Sequence, residues 1–197
     1  MNNQRISELV LQSLEHEMGG VQVYETAVKC ARNPDLKKEW KGYLEQTISH
    51  VAALEAVCLA LGLDPKQETS GRKVVRHLGG ALVEAMKLAL AAGDPAAAEI
   101  VASECVVLAE TKDHLDWMLI GKCADHLEGA QADALREAYE RIEDQEDEHL
   151  YHTKGWCREL WIASLGMNAV LPPVEERQKV KTAMGAARAE LASEKAR

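Results

Sequence analysis

Residues 135–160 read LREAYERIEDQEDEHLYHTKGWCREL, and this stretch decides the fold class. Its core-type positions recur at alternating steps of four and three, as they do on one face of an α-helix. The positions of this stripe are Leu135, Tyr139, Ile142, Glu146, His149, Thr153, Trp156 and Leu160. Such stripes are typical of helices that pack nearly antiparallel around a shared core. Two ionisable residues, Glu146 and His149, interrupt the stripe at mid-length, and we look for the function there.

Proline and glycine divide the rest of the chain into similar segments. Asn33-Pro34, Asp64-Pro65 and Asp94-Pro95 each place an N-cap residue before the helical position that needs no N–H donor. We predict long helices over 3–32, 35–62, 95–124 and 131–166, a crossover helix over 71–92, and a helical or flexible tail over 169–197. The predicted fold class is therefore all-α, with one antiparallel four-helix bundle over 1–168 as the main domain.

The composition excludes several classes of protein. The chain of 197 residues has 32 acidic and 23 basic residues, for a formal net charge of −9. This balance argues against a nucleic-acid partner, which needs a basic face. Apolar runs stay well short of the roughly 20 residues of a membrane span, and the first residues do not read as a signal peptide. Five cysteines without a C-x-x-C pair favour a reduced, cytoplasmic compartment.

The two halves of the chain repeat one helical hairpin. A shift of 93 positions carries Glu17, Tyr24, Lys29, Cys30 and Ala31 onto Glu110, Trp117, Lys122, Cys123 and Ala124. A shift of 99 positions carries Gln46, Thr47, His50 and Cys58 onto Gln145, Glu146, His149 and Cys157. The repeat predicts that both hairpins pack in the same way, with the crossover helix between them.

This packing brings the polar interruptions to one height inside the bundle. Three carboxylates and two imidazoles then share an apolar interior: Glu17, His50, Glu110, Glu146 and His149. Unpaired carboxylates there would cost several kcal/mol each, and a bound cation is the simplest way to offset that cost. Oxygen and imidazole ligands without thiolate favour iron, manganese or zinc.

The pattern resembles the ferritin-like superfamily, and within it the bacterioferritin and rubrerythrin group. That group has one Glu on each of two helices and Glu-x-x-His on each of the other two. Glu146 and His149 form one Glu-x-x-His as it stands, whereas a rubredoxin domain is missing. The resemblance implies one or two iron ions, with manganese or zinc possible. It also implies dioxygen or hydrogen peroxide as substrate, an electron donor of unknown identity, and a homo-oligomer.

One position departs from the family pattern, because Thr47 stands where a Glu is expected. Three readings stay open: a dinuclear site with Glu146 as the bridge, a single metal on Glu110, Glu146 and His149, or a degenerate site kept as a polar core. In the third reading the chain is a non-enzymatic scaffold that acts through protein interaction or self-association.

Two residues close to Glu110 could replace the missing ligand. His114 is a possible extra ligand, since it follows Glu110 by about one turn. Asp113 is the weaker replacement, because it lies off the stripe. Thr47 and Tyr24 are expected to lie behind the ligands. Tyr24 and Trp117 should be about two turns, or ~10 Å, from the site along the bundle axis.

Overall fold

The computed structural model describes residues 3–169, and within this range all regular structure is helical. The five helices are α1 (Asn3–Cys30), α2 (Pro34–Ala60), α3 (Ser70–Ala91), α4 (Pro95–His126) and α5 (Ala130–Ser164). The all-α prediction is confirmed. The division into a bundle over 1–168 and a tail over 169–197 stays a prediction, because nearly all of that tail lies outside the described residues.

Side-chain caps fix where most of the helices begin. Asn33 accepts hydrogen bonds from Asp35 N and Leu36 N at the start of α2, and Asp94 caps α4 in the same way. The third Asx-Pro pair behaves differently, because Asp64 Oδ1 accepts from Lys66 N in a turn and begins no helix. The crossover helix α3 instead begins after Thr69, whose side chain accepts from Arg72 N.

Four helix ends differ by two residues from the predicted ranges: α2 ends early at Ala60 and α5 at Ser164, each shortly before a glycine with positive φ, and the ends of α1 and α4 have local reasons of their own. α1 ends at Cys30 rather than at residue 32, because Arg32 N and Asn33 N donate to the Glu99 carboxylate on α4 and leave the helical path. α4 runs to His126, past the predicted end at 124. Gly129, with φ +73°, then turns the chain into α5.

Four helices surround the shared core and the fifth covers one side. α1 packs against α2 and α4, α5 packs against α2 and α4, and α3 lies against α1 and α4. α1 and α4 run in opposite directions, because Glu17 pairs with Trp117 while Tyr24 pairs with Glu110. The pairs His50–Gln145 and His149–Gln46 show the same for α2 and α5.

The core has an apolar cluster towards each end of the bundle. One is built around Trp40, Trp156 and Met86, and the other around Trp117 and Leu135. The polar residues of the stripes lie between the two clusters. A buried ion pair joins α3 to α1, because Arg72 of α3 donates to the Glu15 carboxylate of α1. No helix of the described residues is both long and apolar enough to cross a membrane.

Candidate metal centre

The structure brings the five predicted ligands together. They come from α1 (Glu17), α2 (His50), α4 (Glu110) and α5 (Glu146 and His149), and all five are at most 3% exposed. Their ligand atoms form two groups, Glu17–His50–Glu146 and Glu110–Glu146–His149, and the atoms of each group lie within 4.8 Å of one another. Glu146 belongs to both groups, so the arrangement has two halves that share one carboxylate.

Both imidazoles turn the same nitrogen towards the carboxylates. His50 Nδ1 lies 3.0 Å from Glu146 Oε1 and 3.4 Å from Glu17 Oε1. His149 Nδ1 lies 3.6 Å from Glu110 Oε2 and 3.6 Å from Glu146 Oε1. The two rings are nearly parallel, with their centroids 5.7 Å apart. Glu146 Oε1 therefore stands between the two rings and faces both.

A pair of glutamines fixes the orientation of the imidazoles. His50 Nε2 lies 2.8 Å from Gln145 Oε1, and His149 Nε2 lies 2.7 Å from Gln46 Oε1. Because an amide oxygen only accepts, the hydrogen of each ring must be on Nε2. A neutral ring in this tautomer presents the lone pair of Nδ1 to the carboxylates, which is the form that binds a metal ion.

The outer carboxylates are held by donors that cross between α1 and α4. The Tyr24 hydroxyl donates to Glu110 Oε1 at 2.8 Å, and Trp117 Nε1 donates to Glu17 Oε1 at 2.8 Å. The predicted separation of about two turns for Tyr24 and Trp117 was wrong. Each of them lies two turns from the Glu of its own helix, but the antiparallel packing places it beside the Glu of the other helix. The two contacts are related by the sequence repeat.

Six candidate ligand atoms around the shared space are buried and have no hydrogen-bond partner among the described residues outside the set itself, in which His50 Nδ1 and Glu146 Oε1 lie 3.0 Å apart. They are Glu17 Oε2, His50 Nδ1, Glu110 Oε2, Glu146 Oε1, Glu146 Oε2 and His149 Nδ1. Buried polar atoms are nearly always satisfied, and a concentration of such atoms points to an ion or another bound group. Carboxylate oxygen and neutral imidazole are the donors that iron, manganese and zinc accept. The donor set thus fits a divalent metal ion of this class.

In the metal-free protein, protons offset part of the charge at this site. Burial raises the pKa of Glu110 to about 8 and that of Glu146 to about 7. Burial also lowers the pKa of His149 to about 4, so this ring is neutral. For His50 the same effect is outweighed by the carboxylates of Glu146 and Glu17, which raise its pKa to about 10. Metal binding must therefore displace protons from the site.

A polar network outside the ligands supports His149 from the side. The ring of Tyr43 packs on His149, with the ring centroids 4.2 Å apart. The Tyr43 hydroxyl donates to Glu39 Oε1 at 2.9 Å and lies 2.8 Å from His152 Nδ1. Trp156 Nε1 donates to the other oxygen of Glu39. The stripes predicted core positions for Tyr43 and Trp156, but spacing alone could not show a shared carboxylate.

Thr47, His114 and Asp113 were the remaining candidates, and neither of the two ligand groups includes any of them. Thr47 is buried and its hydroxyl donates to the Tyr43 carbonyl, and as a neutral side chain it adds no negative charge to the site. His114 is not brought to either group; its side chain is 31% exposed and its Nε2 lies 2.7 Å from Asp147 Oδ1. Asp113 is only 5% exposed, whereas its place off the stripe had made it the weaker replacement.

Comparisons of the chain with protein-family models, with curated proteins and with solved structures find no match. The geometry of the site and the sequence repeat are therefore the basis for assigning a function.

Proposed function

We propose that this chain is a ferritin-like protein that holds two divalent metal ions, iron or manganese, between α1, α2, α4 and α5. The observation that carries the proposal is the set of six buried carboxylate and imidazole atoms that face only one another, in two groups that share Glu146. Glu17 and His50 would hold one ion, and Glu110 and His149 the other. Zinc accepts the same donors, so the choice of metal needs a measurement.

The order of the helices and ligands supports the ferritin-like assignment. In that superfamily a metal centre forms inside a four-helix bundle from Glu residues and Glu-x-x-His pairs on facing helices. Here Glu17 and Glu110 stand on α1 and α4, which pack antiparallel, and Glu146 and His149 stand on α5 opposite His50 of α2. α3 corresponds to the long connection between the second and third helices of the bundle.

Bound iron or manganese would supply one-electron redox chemistry with dioxygen or hydrogen peroxide as substrate. The residues of this chain prepare the site for that chemistry. Gln46 and Gln145 accept from Nε2 of the imidazoles and turn Nδ1 towards the carboxylates, while Tyr24 and Trp117 hold the outer carboxylates. The apolar clusters on both sides exclude bulk water and strengthen the charge interactions between them. The proposal includes an external electron donor and a homo-oligomer, and it assigns no nucleic acid or membrane as partner.

Metal content tests the proposal directly. Purified tag-free protein should carry about two iron or manganese ions per chain, measured by elemental analysis. Glu146→Gln and His149→Ala should each lose metal while the helical circular dichroism stays unchanged. Glu140→Gln is the matched control, because it makes the same carboxyl-to-amide change at an exposed position of α5. One ion per chain would establish the single-metal reading instead, and wild-type protein without affinity for iron, manganese or zinc would refute the proposal.

A specific contact also favours the second candidate, a scaffold with a polar core. His50 Nδ1 lies only 3.0 Å from Glu146 Oε1, so a protonated imidazole already supplies one positive charge between the carboxylates. In this case the chain would act through self-association or a partner protein. Elemental analysis and light scattering on one sample separate the two functions: the scaffold predicts no metal and an assembly that Glu146→Gln leaves unchanged.

A further inference from the structure

Asp113 is a buried carboxylate that neither metal-ligand group includes. It lies on α4, three residues after Glu110, and is 5% exposed. Its Oδ1 atom is buried and has no hydrogen-bond partner among the described residues. A buried carboxylate in this state is costly unless it serves a cation. Packing of the apolar core alone does not explain an Asp at this buried position.

The sequence repeat predicts which residue Asp113 faces. The shift of 93 positions carries Gly20 onto Asp113, and the shift of 99 carries Thr47 onto Glu146. Gly20 faces Thr47, since a Cβ built on Gly20 would lie 3.3 Å from Thr47 Cγ2. In the second half of the bundle, the equivalent pair is Asp113 and Glu146. The two halves are therefore unequal at this point: one has Gly and Thr, and the other has two carboxylates.

The electrostatic surroundings of Asp113 agree with this placement. Burial is the main cause that raises its pKa, and the charges that raise it further are, in order, Glu146, Glu17, Glu110 and Asp116. The first three of these are proposed ligands. Asp113 thus belongs to the same cluster of negative charge as the metal centre, although it lies outside the 4.8 Å groups.

The charge count shows what Asp113 could do. Two divalent ions carry four positive charges, whereas Glu17, Glu110 and Glu146 supply only three negative ones. A Glu at position 47 would supply the fourth, but Thr47 is neutral and its hydroxyl is committed to the Tyr43 carbonyl. We infer that Asp113 is the fourth carboxylate of the centre, placed on α4 instead of α2, and that it stabilises the ion held by Glu110, Glu146 and His149. This inference rests on the proposed dinuclear site.

The test counts Mn²⁺ ions bound to the full chain under anaerobic conditions, with free Mn²⁺ measured by electron paramagnetic resonance. Asp113→Asn should bind one of the two ions at least tenfold more weakly than the wild type. The matched control is Asp116→Asn, the same change at a buried Asp of α4 that pairs with Lys112. It should bind both ions as the wild type does. The double variant Thr47→Glu/Asp113→Asn should regain affinity for the second ion.

Thermal unfolding of the metal-free variants separates a metal role from a structural one. Asp113→Asn should unfold at the wild-type temperature or above it, because the change removes an uncompensated buried carboxyl. Unchanged affinity for both ions in Asp113→Asn, or a clearly lowered unfolding temperature, would overturn the inference and leave the metal centre intact. A double variant no better than Asp113→Asn would likewise contradict the compensation. If the wild type binds neither Mn²⁺ nor, in the same titration, Fe²⁺ or Zn²⁺, the proposed function fails and this inference fails with it.

Discussion

The glutamines behind the two imidazoles allow the sharpest test of the site geometry. Gln46→Met removes the acceptor at 2.7 Å from His149 Nε2, and Gln145→Met removes the acceptor at 2.8 Å from His50 Nε2. Each ring then loses the contact that keeps its hydrogen on Nε2 and its Nδ1 towards the carboxylates. Loss of such a partner typically lowers metal affinity by about 10- to 100-fold, which is about 1.4–2.7 kcal/mol. Since the two contacts are equivalent, we expect similar losses in both variants.

The same changes should also destabilise the metal-free protein. Each variant leaves a buried Nε2–H without an acceptor, at a cost of about 1–3 kcal/mol in the free energy of unfolding. Competition with a chromophoric chelator measures the metal affinity, and urea denaturation measures the stability. Gln22→Met on the exposed face of α1 is the control, and it should change neither quantity. Wild-type affinity in both glutamine variants would refute the argument that these amides orient metal ligands.

Three more predictions follow from the described contacts. The metal-free protein should lose stability as the pH rises from about 6.5 to 8, as followed by thermal unfolding. In this range the folded state holds protons on Glu110, Glu146 and His50, whose pKa values are about 8, 7 and 10, while the unfolded chain has released them. Trp117→Phe should lower the free energy of unfolding in urea by about 1–3 kcal/mol, because Glu17 loses its buried donor; an unchanged midpoint would contradict this. Mn²⁺ at about 100 times its dissociation constant should raise the free energy of unfolding by about 2.7 kcal/mol per site, and it should raise that of Glu146→Gln by less.

Most of the fold could be predicted from sequence, because local signals and long-range packing agree. The apolar stripe of each long helix has the spacing of one helical face, and Asn33-Pro34 and Asp94-Pro95 mark helix starts that the structure confirms. Asp64-Pro65 carries the same local signal without starting a helix. A capping residue followed by proline is equally suited to a turn, and only the residues that follow decide between the two.

The cluster of five candidate ligands could be predicted because the repeat singles out polar residues on core faces. The same repeat contained Gln46 and Gln145, yet spacing along one helix does not show which imidazole each amide contacts across the bundle. Tyr24 and Trp117 make the same point. Seven residues along α1 or α4 are about 10 Å, and this distance was mistaken for the distance to the site. The direction of the neighbouring helix decides which residues are in contact. The stripe of a single helix carries no information about that direction.

The positions where the repeat fails to match are as informative as those where it matches. A helical hairpin used twice would give two identical half-sites, each with the same charge. Here one half has Gly20 and Thr47, and the other has Asp113 and Glu146. Asp113 follows Glu110 by three residues, the same spacing as Glu146 and His149, so it lies close to the Glu110 face of α4, whereas the predicted stripe continued through His114. Only the packed structure shows that it is buried and that its Oδ1 has no hydrogen-bond partner among residues 3–169. If the centre holds two metal ions as proposed, Thr47 and Asp113 are best understood together, because the negative charge that the first hairpin lacks at position 47 is present in the second hairpin at position 113.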